Sequence, residues 1–150
     1  MPGVDRVGQK VNARSVDARQ HLAKAYQAVG RREEAVAMQL ETIATLERTK
    51  GERHPVTAGA MTQLAEIYMF QVRYDDAERE ARRALEIRRA LHGDAHPESI
   101  KALQMLATIQ SRRGRNDLAE PLFAEVLRQS EIAYGPDAPD TMKAVSNLAV

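Results

Sequence analysis

A chain of 150 residues, 43% hydrophobic and 29% charged, is long enough to bury one core. Its 22 basic and 21 acidic residues leave a net charge of +1, which argues against wholesale binding to nucleic acid or an anionic membrane. The sequence has no cysteine, which excludes disulfides, and no run of roughly 18 apolar residues that could span a membrane.

Residues 1–14 lack an apolar segment of signal-peptide length and read as a flexible tail, with a cytoplasmic location expected. From residue 15 onward, apolar residues recur at i, i+3, i+4 and i+7, as in Ala60, Met61, Leu64, Ala65, Ile67 and Tyr68. No segment alternates with period two. The pattern predicts helices over 15–29, 32–50, 56–71, 74–92, 98–112, 116–134 and 140–150. Gly30 and Gly114 suit left-handed helix ends, whereas Val72 at the corresponding place predicts a turn built differently. Thr57, Ser99 and Thr141 follow prolines and are expected as N-terminal caps, with Glu98 and Asp140 favourable at the positive helix ends. Pro121 falls near the start of the sixth helix, which is expected to begin late and not to break.

The segments repeat every 42 residues. Leu22-Ala23, Leu64-Ala65, Leu106-Ala107 and Leu148-Ala149 keep that step. So do Ala18, Ala60, Ala102 and Ala144, then Ala35, Ala77 and Ala119, and the pairs Gly51/Pro55, Gly93/Pro97 and Gly135/Pro139. Several columns holding one register mark an all-α array of two-helix units over about 15–55, 56–97 and 98–139, with a partial unit at 140–150. Ending in mid-unit suggests a piece of something longer. Arg19 and Gln39 stand where later units are apolar, which fits a solvent-facing first unit. Gln110 stands where earlier units have Tyr26 and Tyr68 and should weaken packing there.

The spacing Leu22-Ala23…Tyr26…Ala35 and Leu64-Ala65…Tyr68…Ala77 resembles the tetratricopeptide repeat. That unit has about 34 residues. The longer step and the loops K-G-E-R-H-P-V-T, H-G-D-A-H-P-E-S and Y-G-P-D-A-P-D-T resemble its kinesin-light-chain-like subclass. The resemblance implies a right-handed superhelical array, three repeats plus one unpaired C-terminal helix, acting as a protein-interaction scaffold and possessing no enzymatic activity or cofactor. Its concave groove would be lined by Asp17, Gln20, Lys24 and Gln27, then Thr62, Gln63, Glu66 and Met69, then Lys101, Gln104 and Thr108. Amides and hydroxyls there suit an extended peptide backbone, and Lys24 and Lys101 suit an acidic one. The paired Asn of the kinesin-light-chain groove are replaced by Gln20-His21, Thr62-Gln63, Gln104-Met105 and Ser146-Asn147, so specificity does not carry over.

No nucleophile, phosphate loop or isolated carboxylate pair stands out. His92, Asp94 and His96 could be imagined as metal ligands, but the His-Pro pairs recur with the repeat as loop residues, and no metal is expected. Arg79, Arg82, Arg83, Arg88 and Arg89 make the fourth helix basic, which raises nucleic-acid binding as the disfavoured alternative to a self-paired surface. A further alternative is packing or oligomerisation with the groove unused. The last helix offers an amphipathic stripe, Met142, Val145, Leu148 and Ala149, expected to support a homodimer.

Overall fold

A computed structural model describes residues 16–148, which form seven helices and, among the described residues, no strand. They are α1 (16–28), α2 (Arg32–Thr49), α3 (Pro55–Phe70), α4 (Tyr74–His92), α5 (Pro97–Arg112), α6 (Asn116–Tyr134) and α7 (Pro139–Leu148). From α2 to α7 each helix packs on its successor, and α3 also touches α5. Short turns make α1/α2, α3/α4 and α5/α6 antiparallel pairs. The tail expected at 1–14, and Ala149, lie outside the described residues.

Within each pair one turn recurs. The amides of Arg31, Arg73 and Arg115 donate to the carbonyls of Tyr26, Tyr68 and Gln110 at 2.8, 2.8 and 2.9 Å. This closure needs a left-handed residue just before it. Gly30 and Gly114 supply φ of 82° and 81°. Val72 adopts φ 63° and builds the same turn, contrary to the expectation of a different one. The rest of the hydrogen-bonded turn overrides its side-chain preference.

Between pairs a second motif repeats, and it corrects the expected caps. His54 and His96, not Thr57 and Ser99, cap α3 and α5: each Nδ1 accepts from a backbone amide, Val56 or Glu98, at 3.2 Å. The prolines follow directly as the first helical residue, where no amide is needed. Thr57, Ser99 and Thr141 are buried, and their hydroxyls donate back to the carbonyls of Gly51, Gly93 and Gly135 at 2.8, 2.7 and 2.7 Å. They latch the loop to the helix that leaves it. As expected, α6 runs unbroken through Pro121, but it begins at Asn116 and not late.

The core is a column of small and branched residues. Ala60, Leu64, Ala65, Ala77, Ala102, Leu106, Ala107 and Ala119 are all buried, so neighbouring helices approach closely. In the first unit only Ala23 and Ala35 match them, while Ala18 and Leu22 are exposed on the uncovered face of α1. Gln39 was expected to face solvent and is instead fully buried, its Nε2 donating to the Ala60 carbonyl at 2.9 Å and to Gln63 Oε1 at 3.2 Å. The next unit satisfies its amide nitrogen through the Ala60 carbonyl and Gln63, whereas Gln39 Oε1 is buried without a hydrogen-bond partner among the described residues. Units are also tied through one recurring position: Gln71 donates to Gln27 and to the Arg32 carbonyl, both at 3.0 Å, and Arg113 reaches Asp75 and Glu78 at 2.6 and 2.8 Å.

Candidate functional site

Successive first helices of the pairs lie side by side, and the space between them is open in two places. Between α1 and α3 a cavity of about 340 Å³ is lined by Gln20, Lys24, Gln27 and Ala28 of α1 and by Gln63, Glu66, Ile67 and Phe70 of α3, with Gln39 of α2 at its base. Ala28, Ile67 and Phe70 make it partly apolar, and glutamine amides ring it. Gln27 and Gln63 are held by hydrogen bonds from Gln71 and Gln39, so their amides are oriented before any ligand arrives. Burial pushes the Glu66 carboxyl above its ordinary range, and the Lys24 ammonium partly offsets this.

A second cavity of about 460 Å³ lies between α5 and α7. Gln104, Thr108 and Arg112 of α5, Asn116, Glu120 and Phe123 of α6, and Asn147 of α7 are among its walls. It is the more polar of the two.

The expected groove residues therefore divide. Gln20, Lys24, Gln27, Gln63 and Glu66 converge on the first cavity, and Gln104 and Thr108 on the second. Thr62 and Thr108 spend their hydroxyls on the carbonyls of Ala58 and Gln104 in their own helices, at 3.0 and 2.9 Å. Met69 is buried in the core and lines neither cavity. Lys101 lines neither and pairs with Glu98 at 3.4 Å, and Asp17 is exposed, its carbonyl accepting from His21 Nδ1 at 2.7 Å. Sequence reasoning missed Phe70 and Arg112, whereas Asn147 stands at a groove position it had identified. Phe70 and Arg112 share one repeat position with Ala28, and a reading by columns shows that this position changes chemistry from unit to unit.

The basic α4 is answered on its own surface. Arg79, Arg82, Arg83 and Arg89 pair with Asp76, Glu78, Glu47 and Asp94 at 2.5, 2.8, 3.0 and 2.9 Å, and the buried Arg88 pairs with Glu98. The Arg88 hydrogen bond holds the Glu98 carboxyl below its usual range. Arg83 and Arg88 tie α4 to α2 and α5, whereas Arg79 and Arg82 pair within α4, and a phosphate backbone would have to compete with these pairs. His92 and His96 stack at 4.2 Å between ring centroids, with His96 engaged as a cap. No described helix is long and apolar enough to cross a membrane.

A family profile described as tetratricopeptide repeat matches residues 57–132, and a second of the same description matches residues 16–56. The chain belongs to the tetratricopeptide-repeat family. Its fold is of the kinesin-light-chain-like kind: TPR-like repeats of a kinesin-light-chain-type protein from Podosopora anserina superpose with a TM-score of 0.76 at 21% identity, over 90% of this chain and 64% of that one. BtubC (BKLC) from P. vanneervenii gives 0.77 at 18% identity, over 89% and 53%. The N-terminal domain of stress-induced protein-1 from C. elegans gives 0.65 at 16% identity, over 93% and 98%. The chain thus spans less than two thirds of the first two structures, and at these identities the likeness is one of fold. No curated protein matches it in sequence.

Proposed function

We propose that the chain is a scaffold that binds an extended peptide of a partner protein along α1, α3 and α5. Repeats of this family generally mediate protein–protein interaction. The observation that carries the reading here is the cavity between α1 and α3, where oriented amides stand beside the apolar Ala28, Ile67 and Phe70. Such a surface can bond a peptide backbone and seat an alternate side chain. The exposed Lys24 at its rim favours an acidic ligand. Ala28 is exposed and lines the cavity, so Ala28→Trp fills the site without disturbing the core. Peptides selected on the wild-type chain should bind this variant about ten-fold more weakly at unchanged melting temperature. Full affinity would place the site elsewhere. Lys24→Glu should weaken acidic peptides selectively, and added salt should narrow the difference.

Self-association is a second reading, supported by α7. Met142, Val145 and Leu148 are exposed there at helical spacing. Light scattering should then show mass rising with concentration, and Val145→Lys with Leu148→Lys should return a monomer. A dimer indifferent to both substitutions would refute a contact through α7.

A further inference from the structure

The groove widens in two places, and one repeat column marks where it opens. The floor position on the second helices is Gln39, then Ala81, then Phe123. Above the small, buried Ala81, α3 and α5 come into direct contact. Above Gln39 and Phe123 the first helices leave the cavities of about 340 and 460 Å³. The two openings are the same construction displaced by two repeats: Gln20, Lys24, Ala28, Gln39 and Gln63 in one correspond to Gln104, Thr108, Arg112, Phe123 and Asn147 in the other. The contact between α3 and α5 lies between them.

Their chemistry differs. In the first, Phe70 is 62% exposed beside Ala28 and Ile67, an aromatic surface that an apolar side chain would cover. In the second, Arg112 takes the place of Ala28 and makes no ion pair among the described residues, and Ser111, Asn116, Gln104 and Asn147 add neutral donors. One carboxylate, Glu120, shares that rim. A planar guanidinium flanked by amides suits a carboxylate, which it can hold through two parallel hydrogen bonds. Phe70 and Arg112 stand at one repeat position on the neighbouring helices α3 and α5, and packed helices lie about 8–10 Å apart, so the two anchors are one step, about 10 Å, apart. An extended chain covers that distance in about three residues.

We infer that one extended peptide spans both openings, seating a large apolar side chain against Phe70 and, about three residues away, a carboxylate against Arg112. This rests on the peptide-binding reading above and adds to it the two anchors and their separation. Joining both anchors in one chain makes the second contact intramolecular, so affinity depends steeply on the spacer.

Selection of a phage-displayed random library with inserts of about twelve residues, on the chain as it stands, tests this directly. The expected outcome is a set of sequences sharing an apolar and an acidic position at one recurring separation near that span. Reselection on Phe70→Ala should lose the apolar preference alone, and on Arg112→Ala the acidic preference alone. Enriched peptides with a single anchor, with no fixed separation, or with preferences unmoved by either substitution would overturn the two-anchor inference while leaving groove binding intact. Failure to enrich any peptide would instead overturn the peptide-binding reading.

Discussion

Leu22 and Leu64 stand at the same place in two successive repeats, yet Leu22 is 40% exposed and Leu64 is fully buried. Both lie on first helices, and both precede an alanine that is completely buried. What separates them is the neighbour: α3 is covered by α2, α4 and α5, whereas the outer face of α1 meets nothing among the described residues. Local pattern assigns a residue to a face of its helix. Burial of that face is decided by the next repeat. The sharpest way to break this comparison is Leu64→Ala beside Leu22→Ala. The first should cost about 2–5 kcal/mol through lost transfer energy and a residual cavity, the second less than about 1 kcal/mol. Equal costs in chemical denaturation would mean that α1 is covered in solution.

The same contrast shows what was legible in the sequence. Seven helices and their register could be read from 42-residue columns, because a repeat imposes one packing geometry many times over. The loops were harder. Thr57 and Ser99 have the side chains of caps, but a histidine two residues before the first free amide does that work, and the hydroxyls turn inward to a glycine carbonyl. That choice depends on the loop's path, which residue type does not encode. Gln39 looked like a surface residue because its partners, Ala60 and Gln63, lie in the following unit. At the groove, Gln20, Lys24, Gln27, Gln63 and Glu66 were identifiable by position. Phe70 was overlooked because an aromatic at helical spacing reads as core, and Met69 beside it was assigned to the surface that Phe70 occupies. One residue of rotation exchanges those two fates.

The second and third units differ in one buried column, and repairing it should shift stability upward by a smaller amount. Arg31 and Arg73 lie over the rings of Tyr26 and Tyr68 at 4.9 and 4.6 Å, whereas Gln110 takes the ring's place beneath Arg115. The Gln110 amide is buried and makes no well-formed hydrogen bond, although the Glu78 carboxylate lies beside it. A buried, unmatched amide costs about 1–3 kcal/mol. Gln110→Met keeps the length of the side chain, removes both polar atoms and should raise the unfolding midpoint accordingly. A lower midpoint would show that an ordered water or a neighbouring side chain satisfies the amide in solution.

The smallest effect is expected where the turns are compared. Gly30, Val72 and Gly114 close the same hydrogen-bonded turn with φ of 82°, 63° and 81°, so the backbone is nearly constant while the side chain is not. A β-branched residue held in the left-handed region crowds the following carbonyl at a cost of about 1–2 kcal/mol. Val72 recovers little of this by packing, since it is 67% exposed. Val72→Gly removes the strain, but it also frees the unfolded chain, which subtracts about 0.5–1 kcal/mol. The net gain should therefore be modest, near 1 kcal/mol, and confined to the folding arm if the turn forms before the rate-limiting step. Val72→Ala makes the test discriminating: it relieves β-branching but retains a Cβ, so it should fall between Val and Gly. If Val72→Gly destabilises while Val72→Ala does not, unfolded-state entropy outweighs strain, and the turn holds valine with less crowding than its φ implies.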